Sequence, residues 1–216
     1  MPVRYEFEKE LNQLHLNLVK MGAIIEKQMD DMIKALLHQD VALAKEVIKR
    51  DDVIDDLEQT IEVECILLIA RQQPIATDLR DIASILKIIT DLERIADHCE
   101  DISQYTIKLS EEKYVKPLAN IETMVTKVKT MVSTVIDSCV RKDLALAEKV
   151  RAMDDEIDDL FDLSVKELQV MMAEDASVVK QCTDFMFIVK YLERMGDHAG
   201  NIAGWITYNV TGKHYE

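Results

Sequence analysis

The chain has 216 residues, with 26 Lys and Arg against 41 Asp and Glu, a formal net charge of −15. Such a surface repels phosphate backbones and anionic headgroups, which argues against nucleic acid or a membrane surface as partner; it suits cations and basic protein patches. Five Gly and three Pro leave few turn formers, so the length has to go into long helices rather than sheets or loops.

The first stretch, MPVRYEFEKE, has no apolar run of the kind a signal peptide needs. From Phe7 the apolar residues Leu11, Leu14, Leu18, Met21, Ile25, Met32 and Leu36 mark one face, which predicts a helix of about nine turns. His38-Gln39 breaks it, and Asp40 is placed to cap a second helix. That helix has a core face of Leu43, Val47, Ile54, Leu57, Ile61 and Leu68, and RQQP (residues 71–74) ends it, with Pro74 suited to the first turn of a third. The third carries Ile82, Ile85, Ile89, Leu92 and Ala96, and EEKYVKP closes the half at Pro117. Leu118, Ile121, Val125, Val128, Val132, Val135 and Cys139 form the next stripe. Asp143 then repeats the capping role of Asp40, and residues 173–177 separate the last two helices.

Connections this short force antiparallel neighbours. The expected fold is all-α, six long helices in two pseudo-symmetric three-helix bundles, residues 1–113 and 114–216. The longest purely apolar run, residues 65–70, cannot span a bilayer. Cys65, Cys99, Cys139 and Cys182 lie far apart in helical apolar patterns with no C-x-x-C, as expected of reduced, mostly buried thiols in a cytoplasmic protein.

The halves repeat one another. DVALAKEVIKRDDVIDDLE from Asp40 aligns with DLALAEKVRAMDDEIDDLF from Asp143 at an offset of 103, and DLERIADHCEDI from Asp91 aligns with YLERMGDHAGNI from Tyr191 at an offset of 100. A period of this size is a duplicated domain, not a solenoid unit. With Ile54 as zero, Asp51, Asp55, Glu58 and Glu62 fall at about +60°, +100°, +40° and +80° around the second helix, a flank of its core stripe. Asp52 and Asp56 point away. On the third helix, with Ile89 as zero, Glu93, Asp97 and Asp101 fall at about +40°, +80° and +120°. The second half offers Asp154 and Asp158, then Glu193 and Asp197, with Asn201 in place of Asp101; Asp155 and Asp159 repeat the outward pair.

Carboxylates crowded at a helix seam repel, and the repulsion grows as water leaves, unless a cation sits between them. Hard cations with oxygen ligands fit: magnesium, manganese, calcium or ferric iron, with zinc if a histidine joins. His98 and His198 fall at about 180°, behind their helices and apart from Glu93, where each is either an exposed polar residue or a contact for a surface ion or a partner. The competing reading of the acids is a solvated face with Arg94 and Arg194 as counter-charges. Gly196, Gly200 and Gly204 recur every fourth residue and imply a close approach by another helix, or a dimer contact.

The stretches at residues 71–102 and 191–208, with the Asp-rich helices ahead of them, make the whole chain resemble the PhoU family, regulators associated with bacterial phosphate-specific transport. The resemblance implies a cytoplasmic chain of two three-helix bundles, often a homodimer, whose acid-x-x-x-acid motifs bind metal in some members. Carried onto this sequence, the metal-binding role falls on Asp51, Asp55, Glu93, Asp97, Asp154, Asp158, Glu193 and Asp197, with Asp101 and its counterpart Asn201 as further candidate ligands and iron, zinc, manganese or magnesium as candidate ions. Tyr191 in place of Asp91, Asn201 in place of Asp101 and the missing second RQQP imply a second site that is weaker or holds fewer ions. The implied task is negative regulation of phosphate uptake and of the phosphate regulon. The implied partners are the ATPase subunit of a phosphate ABC transporter and a sensor histidine kinase. A di-metal enzyme is the rival reading. It is disfavoured because no Glu-x-x-His occurs, and no Gly-rich phosphate loop or nucleophile–His arrangement stands out.

Overall fold

The computed structural model describes residues 2–116 and 118–213. Six α-helices fill nearly all of them: α1 (Pro2–His38), α2 (Val41–Gln72), α3 (Ala76–Leu109), α4 (Ala119–Arg141), α5 (Leu144–Glu174) and α6 (Val179–Thr211). A 3-10 turn, Ala176–Val178, leads into α6, and there is no strand among the described residues. Pro117, expected to close the first half, lies outside the described residues, as does Met1.

The same stop-and-start device ends α1 and α4. Gln39 and Lys142 each turn the chain at φ 52°, in the left-handed region. Asp40 then accepts from Leu43 N at 3.0 Å, and Asp143 accepts from Ala145 N at 2.9 Å. Each cap is worth about 1 kcal/mol to its helix. The turn between α2 and α3 differs from expectation. Gln73 takes the left-handed turn (φ 45°) and Ile75 is the N-cap of α3, so Pro74 stands ahead of the helix rather than in its first turn.

The predicted stripes become the core. Phe7, Leu14, Leu18, Met21, Ile25, Met32 and Leu36 of α1 are buried, with Met29 filling the gap in the series and Leu11 packed at its edge. α1, α2 and α3 pack on one another, as do α4, α5 and α6, and the two sets join where α3 lies along α6 and α1 along α4. One apolar core runs through both. All four cysteines are free and buried; burial pushes the Cys65 and Cys139 thiols up to about 12, which leaves them unreactive.

The joints between repeats are antiparallel. Arg80 Nε donates to Asn209 O at 3.1 Å, His198 Nδ1 lies 2.9 Å from Asp91, and Lys108 pairs with Asp184, so numbers rise along α3 as they fall along α6. Asp81 pins this junction. Its buried carboxylate meets His15 of α1 at 3.4 Å, Lys142 of the α4–α5 turn at 3.0 Å and Asn209 of α6 at 2.7 Å. Burial alone would raise its pKa, yet these partners hold it far below the usual carboxylate range. No described helix is long and apolar enough to cross a membrane. In this arrangement α2 and α5 are the outer helices, and their seams with α3 and α6 gather the acids.

Candidate metal centre

At the first seam, α2 presents Asp51, Asp55 and Glu58 from successive turns, and α3 answers with Glu93, Asp97 and Glu100. One carboxylate oxygen from each of Asp51, Asp55 and Asp97 lies within 4.8 Å of the others. Asp51 is 6% exposed and accepts from Gln28 Nε2 of α1 at 3.3 Å. Burial, then the neighbouring Glu100, Asp97 and Asp55 carboxyls, push Asp51 up to about 7. Glu93 is pushed up to about 7 as well, by burial and then Asp97. Asp55 is raised by burial and by Asp97. The counter-charge is Arg94, whose Nη1 lies 2.8 Å from Asp97 and whose Nε lies 3.4 Å from Glu93; its side chain is 54% exposed.

At the second seam the converging oxygens are those of Asp158, Glu193 and Asp197, again within 4.8 Å of one another. Asp154 lies beneath them, against α6. A Cβ added at Gly196 would stand 3.1 Å from its Oδ1, and one added at Gly200 would stand 3.2 Å from its Oδ2. The close approach expected of these glycines is therefore made by an acid side chain of α5, while nothing comes within 4 Å of a Cβ at Gly204. Asp154 Oδ1 is buried with no hydrogen-bond partner, and burial pushes the carboxyl up to about 6. Asp158 and Asp197 are raised for the same first reason. The counter-charge here is not Arg194 but Lys190, which pairs with Glu193.

Both seams therefore fit a hard cation. The donors are carboxylate oxygens, several are held above their ordinary range by burial, and one buried oxygen is left without a partner. Neither converging group contains a histidine, which makes the donor set unlike the usual nitrogen and sulfur environment of zinc.

Two expected ligands stand elsewhere. Asp101 lies 3.4 Å from His98 Nδ1, and Asn201 donates to Asp91 at 3.4 Å, both along the α3–α6 joint. By the next turn the flank carrying Asp101 has rotated away from α2; on the same wheel Glu100 falls at about +20° and takes the place beside Asp51. Glu62 is exposed. His98 and His198 do lie behind their helices, but that side is covered rather than open. His98 is 9% exposed, its ring 5.3 Å from Tyr191 and 5.8 Å from His198. Within one half alone that side would face water; here the other repeat covers it.

A family model described as the PhoU domain matches residues 18–106 and again residues 121–206. A phosphate-specific transport system accessory protein PhoU homolog of Clostridium acetobutylicum is 43% identical over 211 residues, 97% of this chain and 96% of that protein. The homolog of Pseudomonas aeruginosa is 35% identical over 97% of this chain and 87% of its own length. Among solved structures, PhoU from Pseudomonas aeruginosa superposes with a TM-score of 0.93 at 35% identity, covering 96% of this chain and 100% of that one. The phosphate transport system regulatory protein PhoU from Streptococcus pneumoniae gives a TM-score of 0.90 at 25% identity over 97% and 99% of the two chains.

Proposed function

The chain belongs to the PhoU family, and on that footing we propose that it is an accessory protein of phosphate-specific transport that restrains phosphate uptake and phosphate-regulated genes when phosphate is plentiful. It acts from the cytoplasm as a homodimer, a regulator rather than an enzyme. Its partners are the ATPase subunit of a phosphate ABC transporter and a sensor histidine kinase. The net charge of −15 favours basic patches on those partners, where complementary charge speeds encounter and fixes register.

In this reading iron, manganese or magnesium occupies the two seams. Asp51, Asp55 and Asp97 hold the first ion with Glu93 beside them; Asp158, Glu193 and Asp197 hold the second with Asp154 beneath. A bound cation neutralises the acids and ties each outer helix to its inner neighbour. The observation that carries the metal reading is the pair of matching seams at which three carboxylate oxygens converge within 4.8 Å, with buried or half-buried carboxyls pushed toward neutral pH.

Deleting the gene tests the regulatory role. Phosphate import and phosphate-regulated transcription should stay high in replete medium, and an unchanged response would remove the proposal. Complementing the deletion with Asp51→Asn/Asp97→Asn/Asp158→Asn/Glu193→Gln, which disables both seams, separates the metal from the role. If that variant restores repression in full while holding no metal by mass spectrometry, the ions are dispensable for repression.

A further inference from the structure

The two seams differ in charge at two facing positions. Thr90 of α3 and Lys190 of α6 occupy the same point of the repeat, as do Glu58 of α2 and Phe161 of α5. Thr90 Oγ1 donates to Glu58 at 3.2 Å. Lys190 Nζ instead pairs with Glu193 and stands 5.3 Å from the centre of the Phe161 ring. A hydroxyl and an acid in one seam are replaced by an amine and an aromatic ring in the other.

Lys190 pairs with one of the three acids that converge at the second seam, and its charge is felt by the other two. It contacts Glu193 directly, and its charge draws Asp158 and Asp197 downward against the burial that raises them. At the first seam the comparable cation is Arg94, which approaches Glu93 and Asp97 and does not reach the buried Asp51. The Lys190 side chain is 43% exposed, and its ammonium lies over the face of the Phe161 ring. A long, half-exposed lysine side chain can exchange the acids for water.

We propose that Lys190 is a built-in competitor for the cation at the second seam. Its ammonium neutralises Asp158, Glu193 and Asp197 when no ion is bound and swings outward when one enters. The second seam therefore fills only at a higher free metal concentration than the first, which gives the protein two thresholds instead of one. This inference rests on the metal reading above and assigns a regulator to one of its two positions.

The test is a Mn²⁺ titration of the full chain, followed by calorimetry and by the electron paramagnetic resonance of free Mn²⁺. Asp55→Asn/Asp97→Asn isolates the second seam. In that background Lys190→Thr, which reproduces the first seam's residue, should tighten Mn²⁺ binding by about tenfold or more, because a competing unit charge at contact distance is gone. Lys190→Arg keeps the charge and should leave binding weak. In chelator, Lys190→Thr should also melt below its parent, since the acids lose their internal counter-charge; Lys190→Gln repeats that measurement without shortening the side chain. If the parent binds Mn²⁺ at the first seam and Lys190→Thr leaves the second unchanged, the competitor is overturned and the metal reading stands. No Mn²⁺ binding at either seam overturns both.

Discussion

The seam between α2 and α3 and the seam between α5 and α6 are built on one plan, yet they solve the problem of crowded acids differently. The first gathers Asp51, Asp55, Glu58, Glu93, Asp97 and Glu100. The second keeps Asp154, Asp158, Glu193 and Asp197, and replaces the other two with Phe161 and Gly200. It also brings Lys190 onto the acids and lets Asp154 sink against a glycine surface. The repeated plan gives both seams one geometry, and the residues that differ between them set how much negative charge each must hold. The first sets six acids against Arg94 and depends more on an outside cation or on protons, whereas the second sets four against Lys190.

Neutralising the ligands should separate the seams most clearly. Asp55→Asn/Asp97→Asn should weaken Mn²⁺ binding at the first seam by about a hundredfold or more, since two charged oxygen donors are lost. Asp158→Asn/Glu193→Gln should remove only the weaker step of the titration. A larger loss from the second pair, read by calorimetry, would reverse the order of the two seams.

A smaller effect is expected from pH in metal-free protein. Asp51 and Glu93 are held at about 7 and Asp154 at about 6, all above their unfolded range of about 4. The folded chain therefore binds more protons than the unfolded chain across that window. Stability conferred by these groups rises as pH falls from about 7 toward about 4 and declines as pH rises through it. The melting temperature in chelator should thus be several degrees higher near pH 5.5 than near pH 7.5, at about 2–4 °C per kcal/mol. Asp51→Asn should flatten the upper part of the slope more than Asp154→Asn does, and excess Mn²⁺ should offset it. A metal-free protein that gains stability through these groups as pH rises would contradict the assignment.

The glycines of α6 give the smallest shift. Gly204→Ala meets no atom within 4 Å and should gain about 1 kcal/mol of helix propensity, raising the melting temperature by about 2–4 °C. Gly196→Ala should lose most of that gain, because its Cβ would lie 3.1 Å from Asp154 Oδ1 and 3.3 Å from Ile157 Cγ2. Equal gains at both positions in thermal denaturation would mean that Asp154 does not need the glycine surface.

Helix periodicity made the six rods, the caps at Asp40 and Asp143, and the flank of Asp51, Asp55, Glu93 and Asp97 legible in the sequence, because each depends only on residues within one helix. Features that depend on which faces meet were not legible. His98, His198, Asp101 and Asn201 sit on the α3–α6 joint, and nothing within either repeat states that the two pack antiparallel there. Lys190 and Glu100 were within reach of the same wheel, at about +100° from Val189 and about +20° from Ile89. The pattern marks neither, because Lys190 breaks the repeat and Glu100 lies outside the acid-x-x-x-acid spacing. Pro74 was displaced by a left-handed turn at Gln73 that its neighbours do not announce.

The account depends on cations occupying both seams, unequally. An anomalous difference map at the manganese edge, from crystals grown in limiting Mn²⁺ without chelator, tests this directly. The expected map has a strong peak among Asp51, Asp55 and Asp97 and a weaker one among Asp158, Glu193 and Asp197. No peak at either seam, or a stronger one at the second, would contradict it.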